Sequence, residues 1–140
     1  MASKGSKRSS ATLRIHSQKI GIDEITDALK LQPSKTLMMG SKVDPNHPKS
    51  YVRPSNLWSL DSGLRPSRPL EEHIAKLVEV IEEKITVLMS MRKSCDMDIF
   101  CGFSSMHGQG SFALSHELLK RLTVLPIKII VDLYPPESTA

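Results

Sequence analysis

The C-terminal third of the chain limits the choice of fold most. Asp98-Ile99-Phe100-Cys101-Gly102-Phe103 alternates with period two, and Ser104 to Gly110 carries turn chemistry. Ser111 to Leu114 reads as a short strand, and Ser115 is a good N-cap for a helix with Leu118, Leu119 and Leu122 inside. Pro126 stops that helix, and Ile127 to Tyr134 is apolar on nearly both faces, which predicts a central strand. Strands and helices interleaved this way require a sheet with helices packed against it, an α+β domain. The pattern names no activity.

Upstream segments extend the same reading. Ala11 to Ser17 sets Leu13 and Ile15 on one face against Thr12, Arg14 and His16, a half-buried strand. Ile22, Ile25 and Leu29 share one face of a short helix whose acids, Asp23 and Glu24, lie in its first turn, where the helix dipole favours them. Two further strands are predicted, Thr36 to Met39 and Leu57 to Leu60, joined by a Pro- and Gly-bearing loop around Asp44-Pro45-Asn46-His47-Pro48. A connection of that length is functional or floppy. Leu70, Ile74, Leu77, Val78, Ile81, Ile85, Leu88 and Met89 then mark one face of a long helix, with Pro69 at its start and a bend or break expected near Glu82 to Lys84. The expected architecture is a mostly antiparallel sheet with helices largely on one face, built as a ferredoxin-like βαββαβ core followed by a β-α-β extension. Residues 1–10 read as a disordered basic tail, 11–134 as a single α+β domain, and 135–140 as a C-terminal tail.

Charge and cysteine usage narrow the function classes. The formal net charge of +4 is unevenly placed: residues 1–10 hold three basic groups and no acid, 35–68 hold six against two, and 69–140 hold seven against ten. The excess belongs to a tail and a loop-rich middle, so nucleic-acid binding is not expected of the folded part. No apolar run is long enough for a membrane span, and the start lacks the apolar stretch of a secretory signal. Cys95 and Cys101, in one predicted strand, would lie roughly 20 Å apart, beyond disulfide reach. Free thiols predict a cytoplasmic protein.

Several of these blocks together resemble a family. Leu13-Arg14-Ile15, Asp23-Glu24-Ile25-Thr26 leading to Pro33-Ser34, Trp58-Ser59-Leu60, Leu70-Glu71-Glu72-His73 and Asp98-Ile99-Phe100-Cys101-Gly102 stand in order. Leu114-Ser115-His116-Glu117-Leu118 and the closing Asp132-Leu133-Tyr134 follow. On residues 11–134 the chain resembles the bacterial family of small proteins catalogued as Domain of Unknown Function 4279. The resemblance implies a cytosolic, single-domain bacterial protein and transfers no activity.

Candidate chemistry is sparse. Cys101 and His107 offer a nucleophile and base if brought together, although a strand cysteine beside Ile99 and Phe103 is more simply a core residue. Asp98 and Asp132, both on strands, could pair as acid and base. The histidines (His16, His47, His73, His107 and His116) have no metal-ligand spacing, and Gly108-Gln109-Gly110 is no phosphate loop. No catalytic, metal or cofactor residue is therefore assigned. A partner-binding patch is assigned to Tyr51, Arg53, Trp58, Arg65, Arg68 and His107, with Trp58 open to a core reading as well. The expected function is a non-catalytic cytosolic binding module, of regulatory or immunity type, whose partner is another protein or an anionic small molecule, with a homodimer allowed. A small enzyme using the Cys/His or paired-Asp groups is the first alternative. A nucleic-acid binder acting through the basic tail and loops is the second.

Overall fold

The computed structural model describes residues 7–135. In chain order its elements are β1 (Lys7–Ser17), α1 (Ile22–Leu29), β2 (Lys35–Leu37), β3 (Asn56–Asp61), α2 (Leu70–Glu83), α3 (Ile85–Met91), β4 (Cys95–Ser105), α4 (His116–Thr123) and β5 (Lys128–Tyr134). The five strands form one sheet in the order β2-β3-β1-β4-β5. β1 pairs antiparallel with both β3 and β4, and β2 pairs antiparallel with β3. β4 and β5 run parallel. The expected mostly antiparallel sheet is thus a mixed one, because the crossover through α4 returns the chain in the direction of β4.

Local chemistry accounts for the helix ends. Glu24 accepts a hydrogen bond from the Gly21 backbone N–H at 3.2 Å, which satisfies one free donor at the start of α1. α1 closes on Lys30, in the left-handed region at φ 56°, whose N–H reaches the Thr26 carbonyl. Ser115 Oγ accepts from Leu118 N–H at 3.2 Å and starts α4 as its residue type predicts. The long apolar stripe breaks at Lys84, which ends α2 and begins α3, inside the expected 82–84 window.

Along β1 the residues Ser9, Ala11, Leu13, Ile15 and Ser17 are buried, while Ser10 is exposed and Thr12, Arg14 and His16 are half-buried. The buried face joins Trp58, Met97, Ile99 and Cys101 from the neighbouring strands with apolar residues of all four helices in one core cluster. Burying each such Leu or Ile contributes on the order of 1.5–3 kcal/mol. The opposite side of the sheet carries the even-numbered residues of β1.

Three expectations need correction. The predicted disordered tail overlaps a strand, because Lys7 to Ser10 pair with Ser105 to Gly102. Small serines hide the alternation there, and β4 supplies the partner. Residues 1–6 and 136–140 lie outside the described residues. Ser111 to Leu114 is no strand; Phe112 instead leans its ring on Phe103, with centroids 5.2 Å apart. β5 is an edge strand, not a central one, since β4 alone pairs with it among the described residues. The long connection between β2 and β3 has a ladder of its own, with Gly40 and Arg53 bonded through the backbone and Lys42 bridging Val52.

Candidate functional site

The side of the sheet away from the helices is where charge collects. Register places Arg14 between Ser59 and Asp98, and Thr12 between Asp61 and Phe100. Arg14 grips Asp98 with two hydrogen bonds, Nε to Oδ1 at 2.8 Å and Nη2 to Oδ2 at 3.1 Å. His16 Nε2 lies 3.4 Å from Asp98 Oδ2, and the guanidinium sits 4.3 Å from the centre of the Phe100 ring. Asp98 is consequently 2% exposed although no helix covers it. Planar bidentate pairing and stacking make this arginine a fixed feature of the surface.

The row leads into a cleft at one end of the sheet. β1 ends and β4 begins there, with Ser17 opposite Cys95. Ser17 Oγ accepts from Ile20 N–H at 2.7 Å and turns the chain toward α1. The turn from α3 into β4 closes on Ser94 N–H to the Met91 carbonyl at 2.9 Å. Gln18 ties the third wall by donating to the Pro54 carbonyl at 3.1 Å. The open cleft has a volume of about 370 Å³, and His16, Lys19, Arg92 and Lys93 line it with Asp96. Among the described residues, Lys19, Arg92 and Lys93 take part in no ion pair. Cys95 also lines the cleft, but burial pushes its thiol pKa up, against a hydrogen bond from Ser17 that lowers it. It stands there as a protonated thiol.

A larger cavity of about 470 Å³ lies at the start of α2, between Lys7, Arg68, Leu70, Phe103 and Phe112. Its charges are already engaged. Arg68 pairs with Glu72, Glu71 accepts from the Ser115 N–H, and Lys7 donates to the Ser111 carbonyl. The bonds to Ser111 and Ser115 hold the 106–115 loop in place, and the three together leave little charge for a ligand. The cleft at the other end has the reverse character: cations without ion-pair partners among the described residues.

The residues assigned to a patch from sequence do not converge. Trp58 is fully buried and donates from Nε1 to Thr26 Oγ1 at 3.0 Å, so it is a core residue and leaves the patch. Tyr51, 88% exposed, and Arg53 precede β3, whereas Arg65 and Arg68 follow it; the six residues of β3 separate the two groups by roughly 20 Å. Arg53 Nε is buried without a hydrogen-bond partner among the described residues. His107 is exposed in the loop after β4. Cys101 faces the core, fully buried, with its thiol pushed up to about 11 chiefly by burial, so it meets no base in His107. Asp98 and Asp132 are likewise apart. Asp98 stands opposite Lys128 and Asp132 opposite Gly102, about 13 Å further along the ladder. Among the described residues no three His, Cys, Asp or Glu side chains gather as a metal site. No helix there is long and apolar enough to cross a membrane.

Sequence reasoning missed the Arg14–Asp98 pair and the cleft. The spacing of 84 residues hides the pair from any local pattern. The cleft's cations come from two turns far apart along the chain, which no local pattern joins. His73 was also missed: it is buried, with Nδ1 2.6 Å from Ser62 Oγ.

Residues 6–136 match the family model described as Domain of unknown function (DUF4279). The chain belongs to this family. The DUF4279 match begins before the strand read from sequence, and so takes in the part of β1 assigned there to a tail. No curated protein and no solved structure matches the chain.

Proposed function

We propose that this DUF4279 protein is a cytoplasmic binding module that holds an anionic group of another protein, a carboxylate or phosphoryl group, in the cleft between the end of β1 and the start of β4. The observation that carries this reading is the set of three cations around one cavity, none of them in an ion pair among the described residues. Cations left unpaired at a concave surface keep their attraction for an incoming anion, and Arg92 can offer a planar fork to two of its oxygens. His16 extends the cleft toward the Arg14–Asp98 pair, which gives the approaching surface a rigid floor. Regulatory or immunity-type sequestration fits such a module. Two free, buried thiols support the cytoplasmic setting.

We also infer that β1-α1-β2-β3-α2-β4 is a ferredoxin-like core, with α4 and β5 as an extension and α3 as an addition before β4. The order β4-β1-β3-β2 within the sheet, with antiparallel neighbours throughout, supports this reading.

Titrating the full-length protein with inorganic phosphate and with a poly-glutamate peptide, followed by amide chemical shifts, tests the cleft. Shifts confined to residues 16–19 and 92–96, weakened by salt and weakened about tenfold by Arg92→Ala with Lys93→Ala, are expected. Shifts centred elsewhere, or none at millimolar phosphate and peptide, would overturn the assignment.

A further inference from the structure

The free edge of the sheet carries a self-complementary strand. β5 reads Lys128-Ile129-Ile130-Val131-Asp132-Leu133-Tyr134, and on its outer side no strand pairs with it among the described residues. Natural edge strands are usually shortened, bulged or guarded by inward charge or proline, since an open edge recruits another strand. β5 is seven residues long and apolar, with its charges four residues apart on one face. Leu133 is 67% exposed at its end.

We propose that β5 pairs antiparallel with β5 of a second copy about a two-fold axis through Ile130, giving a continuous sheet across the dimer. Directly opposed residues in an antiparallel pair project to the same side. With Ile130 on the axis, Lys128 of each copy faces Asp132 of the other, on the side away from the helices. On the helical side Ile129 faces Val131, and Ile127 faces Leu133. Every opposition in this register is charge with counter-charge or apolar with apolar. Moving the axis by one residue, onto Ile129 or Val131, would set Lys128 or Asp132 against an apolar residue. Within one copy Lys128 and Asp132 are about 13 Å apart and cannot meet. Neither is in an ion pair among the described residues, and the hydroxyl of Tyr134 that approaches Asp132 on the same face leaves its negative charge uncompensated for the second copy. Two-fold pairing uses the same patch on both partners, which closes the assembly at two copies and leaves no open β5 edge. The cleft at the β1–β4 end plays no part in this contact, and its titration stands or falls separately.

Sedimentation of the full-length protein from micromolar to near-millimolar concentration is the test, with amide hydrogen exchange at both concentration limits. A monomer–dimer equilibrium is expected, with exchange at residues 127–133 slowing as concentration rises and exchange in β2 unchanged. Lys128→Asp and Asp132→Lys should each weaken the dimer about tenfold or more, because each change turns two attractions into two like-charge contacts. The double exchange, Lys128→Asp with Asp132→Lys, should restore it. Far-ultraviolet dichroism checks that each variant folds; where the double exchange fails to fold, the concentration dependence of β5 exchange in the unmodified protein decides. A monomer at every concentration, a dimer indifferent to both single reversals, or a folded double exchange without recovery would overturn the proposal.

Discussion

At the scale of single residues, two buried polar groups on the sheet and at its margin govern stability. Asp98 depends on Arg14 for compensation, since a carboxylate that is 2% exposed keeps its charge at a cost unless hydrogen bonds satisfy it. Asp98→Asn removes the charge but leaves Arg14 with half a partner. We expect a loss of about 2 kcal/mol by urea denaturation, with Arg14→Leu costing little more once Asp98→Asn is in place, since the two changes remove one interaction. Additive losses would mean that the pair is not the source. His73 acts through pH. Burial chiefly lowers its pKa below 6.5, while the nearby backbone carbonyls of Arg65 and Arg68 act in the opposite direction. Because the folded value is the lower one, the unfolded chain takes up the proton first as pH falls. The stabilisation is complete above about pH 6.5, drains away as pH falls from there to the folded pKa, and changes no further below it. Urea midpoints between about pH 7.5 and 5 should therefore fall more steeply for the native protein than for His73→Gln. Equal slopes would remove the role. The Arg65 and Arg68 carbonyls offset only part of the cost of charging this buried ring, whose Nε2 has no hydrogen-bond partner among the described residues.

At the scale of elements, most of what the residue pattern predicts is present, and the failures have physical causes. α1, the break at Lys84 and the Ser115 cap were legible because each depends on neighbours within four residues: a first-turn acid, a change in apolar phase, a hydroxyl before the stripe. Ser115→Ala should cost about 1 kcal/mol through loss of the bond to Leu118 N–H, read as a lower thermal midpoint with α4 amides exchanging faster. An unchanged exchange profile would show that Glu71, which accepts from the Ser115 backbone, holds this end alone. β1 was read four residues short because Lys7 to Ser10 owe their extended state to β4 across the sheet, not to alternation in their own side chains. β5 looked central because both its faces are apolar. Its true place at the edge follows from the crossover through α4, which periodicity does not encode.

At the scale of the whole molecule, the one tryptophan reports on the assembly. Trp58 is fully buried against α1, so its emission should be blue-shifted in the native protein and move red in a single urea transition that coincides with loss of helical dichroism. Separate transitions would mean that the sheet and α1 do not unfold together. Charge at this scale is sorted by the fold. The sequence shows an excess of basic groups in residues 1–10 and 35–68, yet the cations without ion-pair partners around the cleft, Lys19, Arg92 and Lys93, come from outside both segments. Charge counted along the chain therefore does not reveal which cations the fold gathers around one cleft.

The residue order by itself determined the class of the domain, the start of α1, the break at Lys84 and the Ser115 cap, the alternation that marks the buried face of β4 and of β1 from Ala11 on, and the separation of two thiols that cannot join. Each is a consequence of interactions within a turn or two of chain. Tertiary structure alone decided that Arg14 meets Asp98, that Asp132 does not, that Trp58 is core, and that two turns distant in sequence bring cations without ion pairs among the described residues to one cleft. Those outcomes depend on strand order and register, and a ladder sets them by bringing together residues whose spacing along the chain has no period to read.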